Sequence, residues 1–142
     1  MSITFYLAGS YVLSNFSPHA VEYDNKVYPT AEHAYQAAKF KDTAIKEAIR
    51  KARSPMHAKK LANEMYKQDR YADWNDRKVD AMEQILRAKL AQHDEVADML
   101  KQSGIEKIVE ASPKDYFWGE GKEGTGQNML GTLWMRLRSE LT

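Results

Sequence analysis

The chain has 142 residues, no cysteine and a formal net charge of +1, from 21 Lys and Arg against 20 Asp and Glu. This length favours one domain with one core, because two half-sized domains would each bury too little apolar surface. The absence of cysteine excludes a disulfide scaffold, thiolate zinc ligation and a cysteine nucleophile. The first residues lack the basic segment of a signal peptide, and no apolar run reaches the roughly 18–20 residues of a membrane span. We therefore expect one cytoplasmic domain over residues 1–142, with no membrane partner.

The charges are distributed unevenly along this chain. Residues 1–38 carry a net charge of −2, residues 39–60 carry +6 and the remainder carries −3. A basic segment of this kind can attract phosphate groups. It can equally be an ordinary solvated helical surface, since charged side chains are mostly exposed. The sequence leaves both interpretations open.

The first half of the chain predicts a strand, a hairpin and three helices. Residues 3–7 form a short β-type run. Residues 21–28 predict a hairpin, because Asp24 and Asn25 tolerate the positive φ of a tight turn. Residues that favour helix N-caps precede three helical patterns, and the third cap is followed by Pro55 at the first helical position. The predicted helices, each with its cap, are 31–40 (Thr30), 43–52 (Asp42) and 55–66 (Ser54).

The second half predicts three further helices and one strand. Residues 74–92, with Asp73 as the cap, have apolar side chains at the three-and-four spacing of a long amphipathic helix. The other predicted elements are a helix over 94–102, a strand over 107–111 and a final helix over 127–141. Since strands and helices do not alternate as in a βαβ fold, we predict an α+β class that is mostly helical with a small β-sheet.

A glycine-rich segment, Gly119-Glu-Gly-Lys-Glu-Gly-Thr-Gly126, is the first candidate for ligand binding. It matches G-x-G-x-x-G, but a dinucleotide fold needs a following strand and an acidic residue about 20 positions later. The chain has neither, so we reject that interpretation. Glycines still let a backbone approach a ligand closely, and the N-terminus of the last predicted helix follows. A phosphate site and an ordinary flexible loop both remain open.

Aromatic and acidic residues directly precede this glycine-rich segment. Trp118 can stack on a base or pack in the core. Asp115 can bond a sugar hydroxyl or stabilise a cationic sugar, and it can equally be a turn residue after Pro113. Both roles remain open for each residue.

Glu32 and Lys39 form a second candidate pair on the first predicted helix. They are seven residues apart, so they would share one helix face about 10 Å apart along the axis, with Gln36 between them. Glu32 also has a structural explanation, because a carboxylate in the first turn complements the helix dipole. Lys39 could be an ordinary surface cation.

Three further residues are candidates for ligand contacts. Asn15 lies in a polar loop, where its side chain can also bond the neighbouring backbone. Phe16 in the same loop can pack or stack, and Trp74 at a helix start can pack or contact a ligand. The four histidines are too scattered for metal ligation, so we predict no metal and no cofactor. Apolar stripes at core spacing are common to monomers and dimers, so no oligomeric state is predicted.

These motifs follow one another in the order found in a known family. The chain resembles the NADAR family, named for its suspected link to NAD and ADP-ribose, over residues 5–141. It departs from the family pattern at 110–115 and before Asp73-Trp74. The motifs are Leu13-Ser-Asn-Phe-Ser-Pro18, Tyr28-Pro-Thr-Ala-Glu-His-Ala-Tyr-Gln-Ala-Ala-Lys-Phe40, Ser54-Pro-Met-His-Ala-Lys59, Asp73-Trp74, Met82, Arg87-Ala-Lys89, Val109-Glu110, Asp115-Tyr-Phe-Trp-Gly119 and Gly126-Gln-Asn-Met-Leu-Gly131.

The resemblance implies a mostly helical α+β fold that hydrolyses the N-glycosidic bond between a ribose and a base. Two substrate classes are associated with the family: phosphoribosylated aminopyrimidine intermediates of riboflavin biosynthesis, and ADP-ribose attached to guanine bases in nucleic acid. The partner is therefore a nucleotide-like small molecule or ADP-ribosylated nucleic acid. A module that binds ADP-ribose or a nucleotide without cleaving it is the alternative. The resemblance assigns catalysis to Glu32, Asp115 and Lys39, and substrate binding to Asn15, Phe16, Trp74, Trp118, Gly119 and Asn128.

Breaking a C1′–N bond develops positive charge on the sugar, which a carboxylate can stabilise while another group accepts a proton from water. We expect Glu32 and Asp115 to share these roles in an order that the sequence leaves open. Lys39 would either neutralise a phosphate or capture the opened ribose aldehyde as a Schiff base. The segment 119–126 and Asn128 would hold phosphate.

Overall fold

The computed structural model describes residues 2–5 and 11–141 and confirms the predicted α+β class. Residues 6 and 7 of the predicted first strand lie outside the described residues. The chain divides into two compact units, residues 18–92 and residues 1–17 with 93–142. In chain order the strands and α-helices are β1 (Ser2–Phe5), β2 (Val21–Tyr23), β3 (Lys26–Tyr28), α1 (Ala31–Ala37), α2 (Thr43–Arg50), α3 (Pro55–Lys60), α4 (Trp74–Gln92), α5 (Asp94–Gln102), β4 (Lys107–Glu110) and α6 (Met129–Ser139).

The predicted hairpin is confirmed at the start of the 18–92 unit. Strands β2 and β3 are antiparallel, with Val21 opposite Tyr28 and Tyr23 opposite Lys26. Asp24 and Asn25 have φ angles of 53° and 64°. These left-handed angles are those of a two-residue hairpin turn, which Asp and Asn adopt at low cost.

Helix α1 is the centre of the 18–92 unit. The Thr30 hydroxyl accepts a hydrogen bond from the His33 N–H (3.1 Å), which confirms the predicted cap. All seven residues of α1 are buried, and the helix packs against α2, α3 and α4. It ends at Ala37, three residues before the predicted end, because the Lys39 and Phe40 N–H groups bond the carbonyls three residues back. Lys39 therefore lies in the turn after the helix.

The helix predicted over 55–66 consists of two different segments. Its start is confirmed, with the Ser54 hydroxyl accepting from the His57 N–H (3.0 Å). After α3 the chain widens into a π-helical turn over Leu61–Met65 and then a 3₁₀ turn over Lys67–Asp69. Widened turns of this kind often occur at functional sites.

Helix α4 has the predicted bounds, and its predicted stripe includes the buried residues Met82, Ile85 and Leu86. The prediction that Asp73 caps it is wrong: the Asp73 carboxylate accepts from Nε of Arg77 (2.8 Å) and from no backbone N–H of the described residues. Lys89 on the same helix is fully buried. Nothing in the hydrophobic pattern predicts that burial.

The unit of residues 1–17 and 93–142 is built on a parallel strand pair. Strand β1 runs beside β4, with Thr4 opposite Val109, and α6 packs against β4. The Trp134 indole donates to the Leu13 carbonyl (3.0 Å), which ties α6 to the segment after β1. The predicted apolar stripe of α6 is confirmed at its buried positions Leu130, Leu133, Trp134 and Leu137, while Leu141 is half-buried beyond the helix end.

We expect Gly131→Ala to lower the free energy of unfolding by about 1–3 kcal/mol in urea denaturation. A Cβ at this position would overlap the Ile108 carbonyl oxygen and lie 2.6 Å from the Asn128 side chain. The loss would occur although alanine favours helix over glycine by up to about 1 kcal/mol. The exposed neighbour provides the control: Thr132→Ala should cost less. Unchanged stability of Gly131→Ala would contradict the close approach of α6 to β4.

Candidate functional site

Two charged residues of opposite sign are buried at the ends of α1. Glu32 is 7% exposed and Lys39 is 6% exposed. Burying charge is costly unless the group is hydrogen-bonded or paired. The burial excludes the alternative that Lys39 is a surface cation.

Neighbouring polar groups hold both charged side chains. The Gln36 amide, also buried, donates to the Glu32 carboxylate (2.6 Å). The Lys39 ammonium donates to Oδ1 of Asn63 (3.0 Å), and its Nζ lies 5.3 Å from the centre of the Tyr35 ring. Asn63 is in the π-helical turn, so that irregular segment supplies a polar partner for the buried lysine.

The surroundings lower the pKa of Lys39 from 10.5 to about 8. Burial is the largest cause, because it disfavours the ammonium form. The Glu32 carboxylate opposes this effect, while the positive charges of Arg70, Lys59 and Lys78 add to it. With a pKa of about 8, roughly one lysine in ten is a neutral amine at pH 7. Lys39 can therefore act as a cation or as a nucleophile.

Trp74 packs on Tyr35, the ring that also faces Lys39. Its side chain is buried and packs at a tilt on Tyr35, with ring centres 5.5 Å apart. It lines two clefts of about 330 and 280 Å³ within the 18–92 unit. The larger cleft carries three carboxylates, from Asp24, Asp76 and Asp80, and the smaller carries none.

The remaining basic residues of segment 39–60 have different environments. Lys46 pairs with Asp24 (3.7 Å), and Glu47 pairs with Arg50 and with Lys51 (3.7 Å). The exposed ones are Lys41, Lys51, Arg53, Lys59 and Lys60. Part of the segment is thus a solvated surface with local ion pairs, and Lys39 is the buried exception within it.

The other predicted site residues belong to the second unit. Asn15 is buried and Phe16 is half-buried, with the Phe16 N–H donating to the Ser14 hydroxyl (3.1 Å). Trp118 is half-buried and meets Phe117 edge to face at 4.8 Å. Glu32, Lys39 and Trp74 therefore lie in one unit, and the six others lie in the second: Asn15, Phe16, Asp115, Trp118, Gly119 and Asn128.

Asp115 has a structural role in this second unit. Its Oδ1 accepts hydrogen bonds from the N–H groups of Phe117 (3.0 Å) and Trp118 (2.7 Å). This is the turn geometry that the sequence offered as the alternative. The second carboxylate oxygen makes no hydrogen bond within residues 2–5 and 11–141. A catalytic role for Asp115 stays a prediction.

Asn128 and Gly119 likewise have internal partners. The Asn128 amide accepts from the Glu110 N–H (2.8 Å) and donates to the Ile108 carbonyl (2.9 Å), which fixes the start of α6 against β4. A Cβ at Gly119 would lie 2.9 Å from the Asp115 carbonyl oxygen, so the close backbone approach there requires glycine. Substrate binding by either residue stays a prediction.

The N–H groups at the start of α6 also have partners within the chain. Those of Asn128, Met129 and Leu130 donate to the carbonyls of residues 119, 117 and 118, at 2.9, 2.9 and 3.1 Å. The N–H groups of residues 120, 121, 124 and 126 donate to backbone carbonyls too. A phosphate at this helix start would therefore compete with existing hydrogen bonds.

His33 has a purely structural environment. Its Nε2 donates to the Ala52 carbonyl (3.0 Å) and its Nδ1 accepts from the Thr30 hydroxyl (2.8 Å), while burial lowers its pKa. Among residues 2–5 and 11–141, no group of three or more His, Asp or Glu side chains is arranged to hold a metal ion. None of the helices in these ranges is both long and apolar enough to cross a membrane.

Comparison with known protein families and proteins gives a clear match. The model of the NADAR domain family matches residues 4–142. The chain belongs to the NADAR family. It is 40% identical to N-glycosidase YbiA of Escherichia coli, over 90% of this chain and 79% of that protein. It is 38% identical to the riboflavin biosynthesis protein VVA0006 of Vibrio vulnificus, over 91% of this chain and 35% of that protein.

A solved structure has a fold similar to that of this chain. The NMR structure of the E. coli protein YbiA superposes with a TM-score of 0.85 at 35% identity, covering 99% of this chain and 86% of the YbiA chain. The NADAR membership and this likeness confirm the family resemblance that the motifs carried. That residues 1–142 form one domain stays a prediction.

We expect substitutions of Asn63 to move the pKa of Lys39 in opposite directions. Asn63→Asp places a carboxylate beside the ammonium and should raise the pKa above about 8 by about one unit, whereas Asn63→Ala removes an acceptor and should lower it. The pH dependence of Lys39 labelling by acetic anhydride, read by peptide mass spectrometry, measures both shifts.

Glu64→Gln is the matched control, because it changes one exposed charge in the same π-helical turn. It should leave the labelling curve of Lys39 unchanged. Identical curves for wild type and both Asn63 variants would show that the 3.0 Å contact does not govern this lysine.

Proposed function

We propose that this chain hydrolyses the N-glycosidic bond between a ribose and a base in a phosphoribosyl or ADP-ribosyl substrate. Its NADAR membership and its similarity to named N-glycosidases make it an N-glycosyl hydrolase. The observation that carries the proposal is the buried pair of Glu32 and Lys39, with Trp74 packed on the Tyr35 ring that faces Lys39. A carboxylate and a low-pKa amine are groups that this chemistry can use.

Glu32 stabilises the positive charge that develops on the sugar as the C1′–N bond breaks. The base leaves with the electron pair of that bond and is protonated, and a water oxygen bonds to C1′ and gives up a proton. Because Gln36 holds the Glu32 carboxylate from one side, the carboxylate is positioned before substrate binds. Such preorganisation is a large part of electrostatic catalysis. Asp115 is the second carboxylate of the proposal.

Lys39 has two possible roles, which its pKa of about 8 permits. As an ammonium it neutralises a phosphate on the substrate. As an amine it adds to C1′ of the ring-opened ribose while the base is still bonded there as an imine. The C1′–N bond to the base then breaks, the base nitrogen leaves with the proton of the amine, and water hydrolyses the lysine imine that remains. The aromatic ring of Trp74 is the proposed surface for the base. Stacking of a base on Trp118 or Phe16 stays an expectation from the family resemblance.

Two substrates remain in the proposal, and each has support. The similarity to a riboflavin biosynthesis protein favours a phosphoribosylated aminopyrimidine, although the chain spans only 35% of that relative. The resemblance to the family gives the second substrate, ADP-ribose attached to guanine in nucleic acid.

One assay with both substrates tests the proposal. The purified chain is incubated with a phosphoribosylated aminopyrimidine and, in parallel, with ADP-ribosylated guanine DNA, and the released base and sugar are quantified by chromatography. We expect multiple turnovers on one of the two. Binding of either substrate without release of base would contradict hydrolysis and support a module that binds nucleotides.

We expect Glu32→Gln and Asp115→Asn each to slow turnover by about 100-fold or more, with the melting temperature nearly unchanged. Both variants keep a side-chain oxygen, so the contact of residue 32 with Gln36 and the turn at residue 115 can survive. Steady-state kinetics on the true substrate and thermal denaturation measure the two effects. Full turnover of either variant removes that residue from the mechanism.

A further inference from the structure

The smaller of the two clefts beside Trp74 has the chemistry of an anion site. It measures about 280 Å³ and is lined by Lys67, Arg70, Tyr71, Ala72, Trp74 and Asn75. Two of these side chains are cationic and none is acidic. Ligand sites start at about 300 Å³, so the cleft suits one portion of a nucleotide-like molecule. Neither Lys67 nor Arg70 is among the site residues predicted from the sequence.

Arg70 is held so that its guanidinium remains available. Its Nε donates to the Lys67 carbonyl (3.2 Å), and its backbone forms a β-bridge with Phe40. The two terminal nitrogens make no hydrogen bond within the described residues. A guanidinium with this free edge can bind two oxygens of one phosphate.

The cleft adjoins the buried pair of α1. The Tyr71 N–H donates to the Lys39 carbonyl (2.8 Å), which ties the lining of the cleft to the backbone of the reactive lysine. The charge of Arg70 also acts on the Lys39 amine, since it contributes to lowering the pKa of that group. Trp74, in the wall of the cleft, packs on Tyr35, whose ring lies against Lys39.

We propose that the cleft of Lys67, Arg70, Tyr71 and Trp74 binds the phosphate of the substrate, with the ribose extending toward Lys39. This subsite rests on the proposed function, because its ligand is the substrate's phosphate. It replaces the glycine-rich segment as the phosphate site, since the N–H groups at the start of α6 are already hydrogen-bonded. With the phosphate bound in this cleft, Lys39 is not needed to neutralise it and acts as the neutral amine.

Calorimetric titration with product-like ligands tests the subsite without turnover. The ligands are ribose 5-phosphate, ADP-ribose and free ribose. We expect Arg70→Ala and Lys67→Ala each to weaken ribose 5-phosphate binding by about tenfold or more, because each removes a charge-assisted contact. Free ribose should bind all variants alike. Equal weakening of ADP-ribose would show that its diphosphate occupies the same cleft, and weakening of ribose 5-phosphate alone would assign the cleft to a monoester.

Two matched variants separate phosphate binding in the cleft from a change in the pKa of Lys39 and from binding at the glycine-rich segment. Lys59→Ala also removes a cation that lowers the pKa of Lys39, but Lys59 does not line the cleft, so binding should be unchanged. Lys122→Ala tests the glycine-rich segment and should also bind normally. Lys67 is exposed, so Lys67→Ala keeps the test valid even if Arg70→Ala fails to fold.

Unchanged binding in Arg70→Ala and Lys67→Ala, or a loss confined to Lys122→Ala, would overturn the subsite. Failure of the proposed function gives a different result. In that case the wild-type chain binds ribose 5-phosphate in an Arg70-dependent way and yet releases no base from either substrate.

Discussion

The arrangement of the 18–92 unit depends on the complete burial of α1. Every side chain of this helix is buried, including a glutamate, and the turn after it buries a lysine. Ionised groups lose hydration on burial, and a helix that served stability alone would carry apolar residues at these positions. The Gln36 and Asn63 amides recover part of that cost through hydrogen bonds. The burial that is costly for folding also lowers the pKa of Lys39 to about 8 and gives it the properties of a nucleophile.

Local sequence signals predicted those parts of the fold that local interactions determine. The hairpin follows from two residues that tolerate positive φ, and the starts of α1, α2 and α3 follow from hydroxyl and carboxylate caps. Tertiary contacts determine the features that were missed. The bridge between Phe40 and Arg70 accompanies the early end of α1, and the pairing of β1 with β4 joins residues about 100 positions apart. Hydrophobic periodicity carries no information about either contact.

The same distinction applies to the candidate site. The spacing of Glu32 and Lys39, with the family motifs, pointed to the pair before its burial was known. Asn63 and Arg70 were not predicted as site residues. Asn63 lies in a π-helical turn whose sequence resembles ordinary helix, and Arg70 follows a short 3₁₀ turn. The glycine-rich segment left a phosphate site and an ordinary loop both open. In this segment, backbone N–H groups bond backbone carbonyls, and a Cβ at Gly119 or Gly126 would lie too close to backbone atoms. The glycines there are therefore also explained by close approach of one backbone segment to another.

We propose that Glu32 and Lys39 act as one catalytic unit. A double-mutant cycle on base release, with Glu32→Gln, Lys39→Met and the double variant, tests it most directly. Residues that act together give non-additive losses. The double variant should therefore be about as slow as the slower single variant. A loss of turnover in the double variant equal to the product of the two single-variant losses would contradict this proposal. Full turnover by Lys39→Met would also contradict it.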